Sequence, residues 1–307
     1  MSEVILKTNE LSKIYGNVAA LEKCNLSIER GQIYGLVGKN GAGKTTFMRL
    51  ICGQSIPSYG SMSLFGATEQ KEIQESRVRI GCMLETPAFF PNCSAKKNLK
   101  IYCMKKGLPD NGHVDGLLKL VGLENAKSKR FSQFSLGMKQ RLGLALAMLG
   151  NPEFLILDEP VNGLDPIGII QIRELLVKLN QEKGITILIS SHLLKELSTI
   201  ATHYAFIDQG RLIREISAKE LEQECQNVMR IKVSESSRAC AILENICGLT
   251  KYKVLPENVI ECYELLDHPE QVNRELVTNG IDVFSLTVQG KDLEEYFLGM
   301  LGGAKND

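Results

Sequence analysis

Gly38-Lys39-Asn40-Gly41-Ala42-Gly43-Lys44-Thr45-Thr46 is the stretch on which the fold turns. It follows an apolar, strand-like run, QIYGLVG, opened by Gly31, and it leads into TTFMRLICG, whose apolar residues have helical spacing. Between a strand and a helix, Gly38, Gly41 and Gly43 let a loop that includes Asn40 and Ala42 curl its backbone N–H groups around a polyphosphate. The helix that starts there turns the positive end of its dipole toward the anion. Lys44 is placed to reach the outer phosphates, Thr45 to set its hydroxyl on Mg²⁺, and Thr46 to add a phosphate hydrogen bond. An unspecialised glycine-rich turn would require neither the lysine nor the flanking strand and helix.

Two further strand ends belong to the same chemistry. Phe154-Leu155-Ile156-Leu157 is an apolar strand closing on Asp158-Glu159, so both acids emerge at the carboxyl edge of a parallel sheet, where ligands bind. Asp158 suits Mg²⁺. Glu159, on the other side of the strand, suits a base for water attacking a γ-phosphate. The plainer alternative is a strand that simply leaves into a Glu-Pro turn. His192 follows a second buried strand, ITILISS, and reaches the same edge, where an imidazole can hydrogen-bond the γ-phosphate and the water.

Around these sites the pattern alternates. Strand-like segments lie at 4–11, 21–29, 80–84, 154–157 and 185–189, and helical spacing covers Thr45 to Cys52, Ser94 to Lys106, Leu136 to Leu149, Pro166 to Glu182 and Leu193 to Ile200. This is the order of an α/β domain. After strands at 204–207 and 211–216 the motifs stop, which places a boundary near residue 220: a nucleotide-binding domain over 1–219 and a small α+β domain over 220–307. The latter shows strands at VMRIKV and IDVFSLTV, two short strands near Lys253 and Ile260, helices around Cys240 to Cys247 and from Pro269, and a helical tail that packs Leu293, Tyr296 and Phe297.

Composition narrows the function. In 307 residues, 36 Lys and Arg balance 36 Asp and Glu, so bulk charge gives no pull toward nucleic acid. The longest apolar run, Leu142 to Leu149, is far below the roughly 20 residues of a membrane span. MSEVILKTNE lacks the pattern of a signal peptide, which points to the cytoplasm. The nine cysteines contain no Cys-x-x-Cys pair and mostly sit among apolar neighbours, as reduced core thiols do.

With Ser135-Leu136-Gly137-Met138-Lys139-Gln140-Arg141 and Asn162-Gly163-Leu164-Asp165 added in order, the chain from residue 4 to about 216 resembles the nucleotide-binding domain of ABC transporters. The resemblance implies a phosphate-loop fold with a parallel core, an antiparallel β subdomain and a helical subdomain. It also implies ATP and Mg²⁺, a homodimer that sandwiches two ATP molecules, separate membrane-spanning permease subunits, and attachment to the inner face of the membrane. Tyr15 takes the position that stacks on adenine, Ser135 and Gly137 the loop that completes the partner's γ-phosphate site, and Asp165 the loop linking the half-sites. Ser135 also reads as an ordinary helix N-cap.

The loop departs from the family's Leu-Ser-Gly-Gly-Gln by its leading leucine, one glycine and the glutamine. Glu85 stands where most members carry a Mg²⁺-sensing glutamine. With Thr86-Pro87-Ala88-Phe89-Phe90 after it, the pattern is similar to the bacitracin-export and lantibiotic self-protection branch, which implies ATP-driven removal of a peptide antibiotic from the membrane. Two rivals share the nucleotide chemistry. A soluble cassette ATPase acting on ribosomes or DNA usually has two cassettes or a long coiled-coil insertion, and this chain has neither. A non-hydrolysing regulatory module conflicts with intact Lys44, Asp158, Glu159 and His192. An ionised Glu85 near nucleotide raises the demand for Mg²⁺, so Glu85→Gln is expected to shift the Mg²⁺ titration of ATPase activity to lower concentration; superimposable titrations would remove this role.

Overall fold

The computed structural model describes residues 3–84, 88–110, 112–225 and 228–290, together with Tyr296 and Gly299. It divides into two compact units, Met1–Ala218 and Lys219–Asp307.

In the first unit, Val4–Tyr15 forms one strand, β1, with Ile5, Leu6 and Leu11 buried; strict alternation of buried and exposed side chains is interrupted where its ladders shift register. The run 21–29, which reads as one strand, is broken into β2 (Val18–Cys24) and β3 (Ser27–Glu29), each antiparallel to a different stretch of β1. Thr8 closes the break, because its hydroxyl donates to the Cys24 carbonyl at 3.0 Å and accepts from the Leu26 N–H at 2.9 Å. Both backbone groups are thereby satisfied where β2 gives way to β3.

The chain then enters the central sheet through β4 (Ile33–Val37), buried at all five positions. After α1 (Lys44–Ile51), the strand β5 (Tyr59–Leu64) returns to pair with β1, and α2 (Gln70–Ser76) leads into β6 (Ile80–Met83). A helical stretch follows: α3 (Ala95–Lys105), α4 (His113–Leu120) and α5 (Leu136–Ala147). Next come β7 (Phe154–Leu157), α6 (Pro166–Lys183), β8 (Thr186–Ser191), α7 (Leu194–Leu197), β9 (His203–Asp208) and β10 (Arg211–Ser217). Helix α7 stops at Leu197, short of the Ile200 that the pattern suggests, where Ser198 turns its hydroxyl back to the Lys195 carbonyl at 3.0 Å.

The sheet order is β10-β9-β4-β8-β7-β6, parallel except for β10 at the edge. Strands β4, β7 and β8 are fully buried, as strands covered on both faces must be. Their shared direction brings the loop after β4, the acids after β7 and the residues ending β8 to one edge. Phe47, Met48, Leu50 and Ile51 of α1 share a core with Leu6 and Leu21 of the antiparallel sheet and Leu36, Ile156 and Leu188 of the parallel one. The helix that begins at the phosphate loop is therefore clamped between two sheets.

At the amino-terminal edge, the Glu153 carboxylate accepts from Arg79 at 2.6 and 2.8 Å and from Arg30 at 2.9 Å. Of the nine free cysteines, Cys24, Cys103, Cys240 and Cys262 are buried, as core thiols should be, whereas Cys82 is exposed.

In the second unit, α8 (Ala218–Glu224) starts at the division. It is followed by β11 (Val228–Val233), α9 (Ser236–Asn245), β12 (Tyr252–Leu255), β13 (Val259–Cys262), α10 (Pro269–Thr278) and β14 (Val283–Gln289). The strands form an antiparallel sheet in the order β12-β13-β11-β14. Met229, Ile231 and Ile260 pack with Leu243, Val272 and Leu276 from the two helices in a core of their own. Tyr296 is buried and donates to Glu224 at 2.7 Å; Leu293 and Phe297 lie outside the described residues.

The hydrogen bonds from Arg79, and then those from Arg30, hold the Glu153 carboxyl at about 2, below its ordinary value. A depressed carboxyl stabilises the fold fully above the unfolded-state value of about 4.3, and that stabilisation disappears as pH falls toward 2. The stability difference between the wild type and Glu153→Gln should accordingly be constant above about pH 5 and close on acidification, as read by urea unfolding at several pH values.

Candidate active site

The loop between β4 and α1 needs glycine for a reason visible in its backbone. Gly43 has φ of 110°, and a Cβ there would lie 2.7 Å from the Ala20 carbonyl oxygen. No larger residue fits that conformation or that space. No side chain caps α1, so its amino-terminal end is left to whatever anion the loop takes. Ala20, the loop from Asn40 to Thr46, and Glu159 line an open concavity of about 160 Å³ there.

Lys44 is only 5% exposed. Its ammonium donates to the Gly38 carbonyl at 2.6 Å and the Lys39 carbonyl at 3.2 Å, and it stands 3.4 Å from Glu159 Oε1. A buried ammonium is tolerable only with such partners. The loop carbonyls fix its position and the carboxylate balances its charge.

Both carboxylate oxygens of Asp158 are occupied: Oδ2 accepts from the Thr45 hydroxyl and Oδ1 from the Ser190 hydroxyl, each at 2.5 Å. Ser190 also accepts the Glu159 N–H at 2.8 Å, so one hydroxyl at the end of β8 holds both acids after β7. Glu159 has φ of 44°, a left-handed conformation that costs a non-glycine residue of order 1 kcal/mol. The turn sends its carboxylate away from Asp158, with Oε1 toward Lys44 and Oε2 3.2 Å from His192 Nδ1 and 3.3 Å from Asn162 Nδ2.

The structure thus joins Lys44, Thr45, Asp158, Glu159 and His192 in one network beside the glycine loop. Ser190 and Asn162 complete it: Asn162 belongs to the Asn162-Gly163-Leu164-Asp165 motif, in which only Asp165 has a role assigned, and Ser190 offers no signal beyond a polar side chain near the end of the strand beside the acids. Ser135 and Asp165 instead cap helices. Ser135 Oγ accepts from the Met138 N–H at 3.4 Å at the start of α5, and Asp165 Oδ1 from the Gly168 N–H at 3.0 Å at the start of α6. Gly137 lies in the first turn of α5. Tyr15 does not line the concavity; it ends β1 with Lys13 Nζ 4.9 Å from its ring centroid and its hydroxyl 3.3 Å from Ser55 Oγ. Glu85 falls outside the described residues.

Among the described residues no three His, Cys, Asp or Glu side chains converge on a metal site. One carboxylate with an adjoining hydroxyl still fits Mg²⁺, which keeps several waters and takes remaining ligands from phosphates. A glycine loop with a buried lysine, a hydroxyl–carboxylate pair and a second acid beside a histidine defines a phosphate-loop nucleoside triphosphatase.

Comparison with known proteins narrows the class. Residues 21–162 match the ABC transporter family. The chain is 39% identical over 299 residues to the bacitracin transport ATP-binding protein BcrA of Bacillus licheniformis, covering 97% of this chain and 98% of that protein. It is 40% identical over 212 residues to the lantibiotic transport ATP-binding protein SrtF of Streptococcus pyogenes, covering 69% of this chain and 90% of that protein. Among solved structures, cbiO1 of Clostridium perfringens, part of an ABC transporter complex, superposes with a TM-score of 0.66 at 29% identity over 80% of this chain and 97% of that one. A bacterial ABC transporter cassette described as dimeric gives 0.62 at 25% identity over 70% of this chain and 99% of that one.

The chain belongs to the ATP-binding subunits of ABC transporters. It is an ATPase that serves transport, which sets aside a cassette working on ribosomes or DNA.

Ser190 is the hydroxyl on which both acids depend. Ser190→Ala should lower kcat of ATP hydrolysis by about tenfold with KM little changed, since charge-assisted hydrogen bonds are worth roughly 1.5–3 kcal/mol. A kcat within twofold of wild type would show that the acids hold their places without it.

Proposed function

We propose that this chain is the ATP-hydrolysing subunit of a transporter that removes a peptide antibiotic of the bacitracin or lantibiotic kind from the membrane. The observation that carries this reading is the match to BcrA along nearly the whole chain, second unit included. Separate permease subunits would span the bilayer, since among the described residues no helix is long and apolar enough to cross it. Attachment to them places the subunit at the cytoplasmic face.

In this reading two copies close on two ATP molecules. Gly38, Asn40, Gly41, Ala42, Gly43 and Thr46 hold phosphate oxygens with the α1 amino terminus, and Tyr15 stacks on adenine. Ser135 and Gly137 of one copy face the γ-phosphate bound by the other, and Asp165 joins the half-sites. Thr45 and Asp158 would hold Mg²⁺, with Glu85 near it; the ion supplies positive charge that offsets the phosphates.

Lys44 stabilises negative charge on the outer phosphates. Glu159 accepts a proton from the attacking water, whose oxygen bonds to the γ-phosphorus as the bridging P–O bond to ADP breaks. His192, 3.2 Å from Glu159, orients the water and the γ-phosphate. Lys44 is paired with Glu159 here, so an arriving γ-phosphate competes for the ammonium and releases the carboxylate to act as base.

Glu159→Gln should bind ATP as the wild type does, hydrolyse it at least 100-fold more slowly, and accumulate as an ATP-bound dimer on size exclusion. Cells that rely on that variant should lose protection against bacitracin. Wild-type turnover in the variant would remove Glu159 as base; ATPase activity without protection against bacitracin or lantibiotics would remove the substrate.

A further inference from the structure

Charge is spread very unevenly along this chain. Of its 36 basic and 36 acidic residues, 11 and 3 fall within 94–141, so that stretch carries a surplus of eight positive charges which the remainder cancels. Helix α3 contains no acidic residue at all. It buries Ala95, Asn98, Leu99 and Cys103, and its outward side is left to Lys97, Lys100 and Met104, about a turn apart, with Lys96 and Lys105 at the margins.

The fold brings further cations to this face. The segment 127–132 runs beside the start of α3: Lys96 N–H donates to the Lys127 carbonyl at 3.1 Å, Ala95 N–H to the Lys129 carbonyl at 3.3 Å, and Phe131 N–H to the Cys93 carbonyl at 3.0 Å. Lys127, Lys129 and Arg130, all exposed, thereby join Lys96 and Lys97. Among the described residues the carboxylate set against them is Asp115, 2.6 Å from Lys96 and 3.9 Å from Lys127, while Lys97, Lys129 and Arg130 make no ion pair. Lys96 and Lys100 are like charges four residues apart, and Lys96 and Lys97 sit in the first turn of α3, where the helix dipole disfavours cations. The cluster therefore costs the fold stability, and its reason lies outside the chain. The first-turn amides are already engaged by Lys127, Lys129 and Ser94, so an arriving anion meets ammonium groups and not a bare helix end.

Exposed apolar side chains accompany the charge. Phe90 is 45% and Met104 79% exposed, and Lys105 Nζ stands 6.0 Å from the Phe90 ring centroid and 5.4 Å from that of Tyr102. Lysine point charges around apolar tips match a layer of anionic headgroups lying over acyl chains. Nucleic acid and phosphopeptide sites favour the arginine fork, and nine of the eleven cations here are lysines.

We infer that the outward side of α3, together with 127–130, docks on the anionic phospholipid headgroups of the membrane and holds the subunit against the bilayer alongside its permease. The inference rests on the reading that the chain works at the cytoplasmic face; vesicle binding by the isolated subunit needs no permease, so the two can fail separately.

The test is cosedimentation of the full chain with phosphatidylcholine vesicles and with vesicles that also contain about 30% phosphatidylglycerol. Binding is expected only to the second kind, and should weaken at least tenfold between about 0.1 M and about 0.5 M salt as the charges are screened. Combined Lys97→Glu, Lys129→Glu and Arg130→Glu should weaken it at least tenfold in low salt, with kcat of ATP hydrolysis within about twofold of wild type. Lys251→Glu, Lys253→Glu and Arg274→Glu, the same charge change at exposed positions of the second unit, should bind as wild type does. Wild-type protein that ignores the anionic vesicles, binds both kinds equally or is insensitive to salt overturns the inference, whether or not the variants fold, and so does equal loss in the two triple variants. Tighter binding to a single-stranded oligonucleotide than to the anionic vesicles assigns the face to nucleic acid and overturns it as well. Vesicle binding by a subunit that never copurifies with a permease overturns the underlying reading instead.

Discussion

An ammonium group almost without access to water stands at the base of the phosphate loop, and its surroundings must compensate it. Lys44 meets that requirement with two loop carbonyls and the Glu159 carboxylate. The carbonyls can reach it only because the loop bends tightly between a buried strand and a helix, and the carboxylate only because Glu159 takes a strained left-handed turn. Much of the local geometry follows from this pairing, as does the readiness of the site: a polyanion entering the loop meets a cation already in place.

The parallel sheet is what allows these groups to meet. Lys44 follows β4, the acids follow β7, and Ser190 lies one residue before the end of β8, elements far apart in the chain but adjacent in strand order and alike in direction. Clamping of α1 between two sheets keeps the loop from drifting relative to them. Ser190 then converts a neighbouring strand end into a shared support for the Asp158 carboxylate and the Glu159 backbone.

The glycine loop and the acid-ended strand were legible in the sequence because each is local: a few residues in a fixed order between apolar runs. His192 was legible only through its position after a buried strand. Ser190 was not, since a serine ending a strand has many ordinary explanations until Asp158 is seen beside it. The break between β2 and β3 depends on Thr8, more than a dozen residues away, and α4 was hidden by Gly116 within its short run.

The fastening of Glu153 to Arg30 and Arg79 lies on the rim opposite the nucleotide site. It stitches the entry to β4, the entry to β6 and the entry to β7 into one margin. A plate secured along one side has its give along the other. Strain set up when nucleotide arrives or departs is accordingly expected in the loops above the strands rather than along this fastened margin.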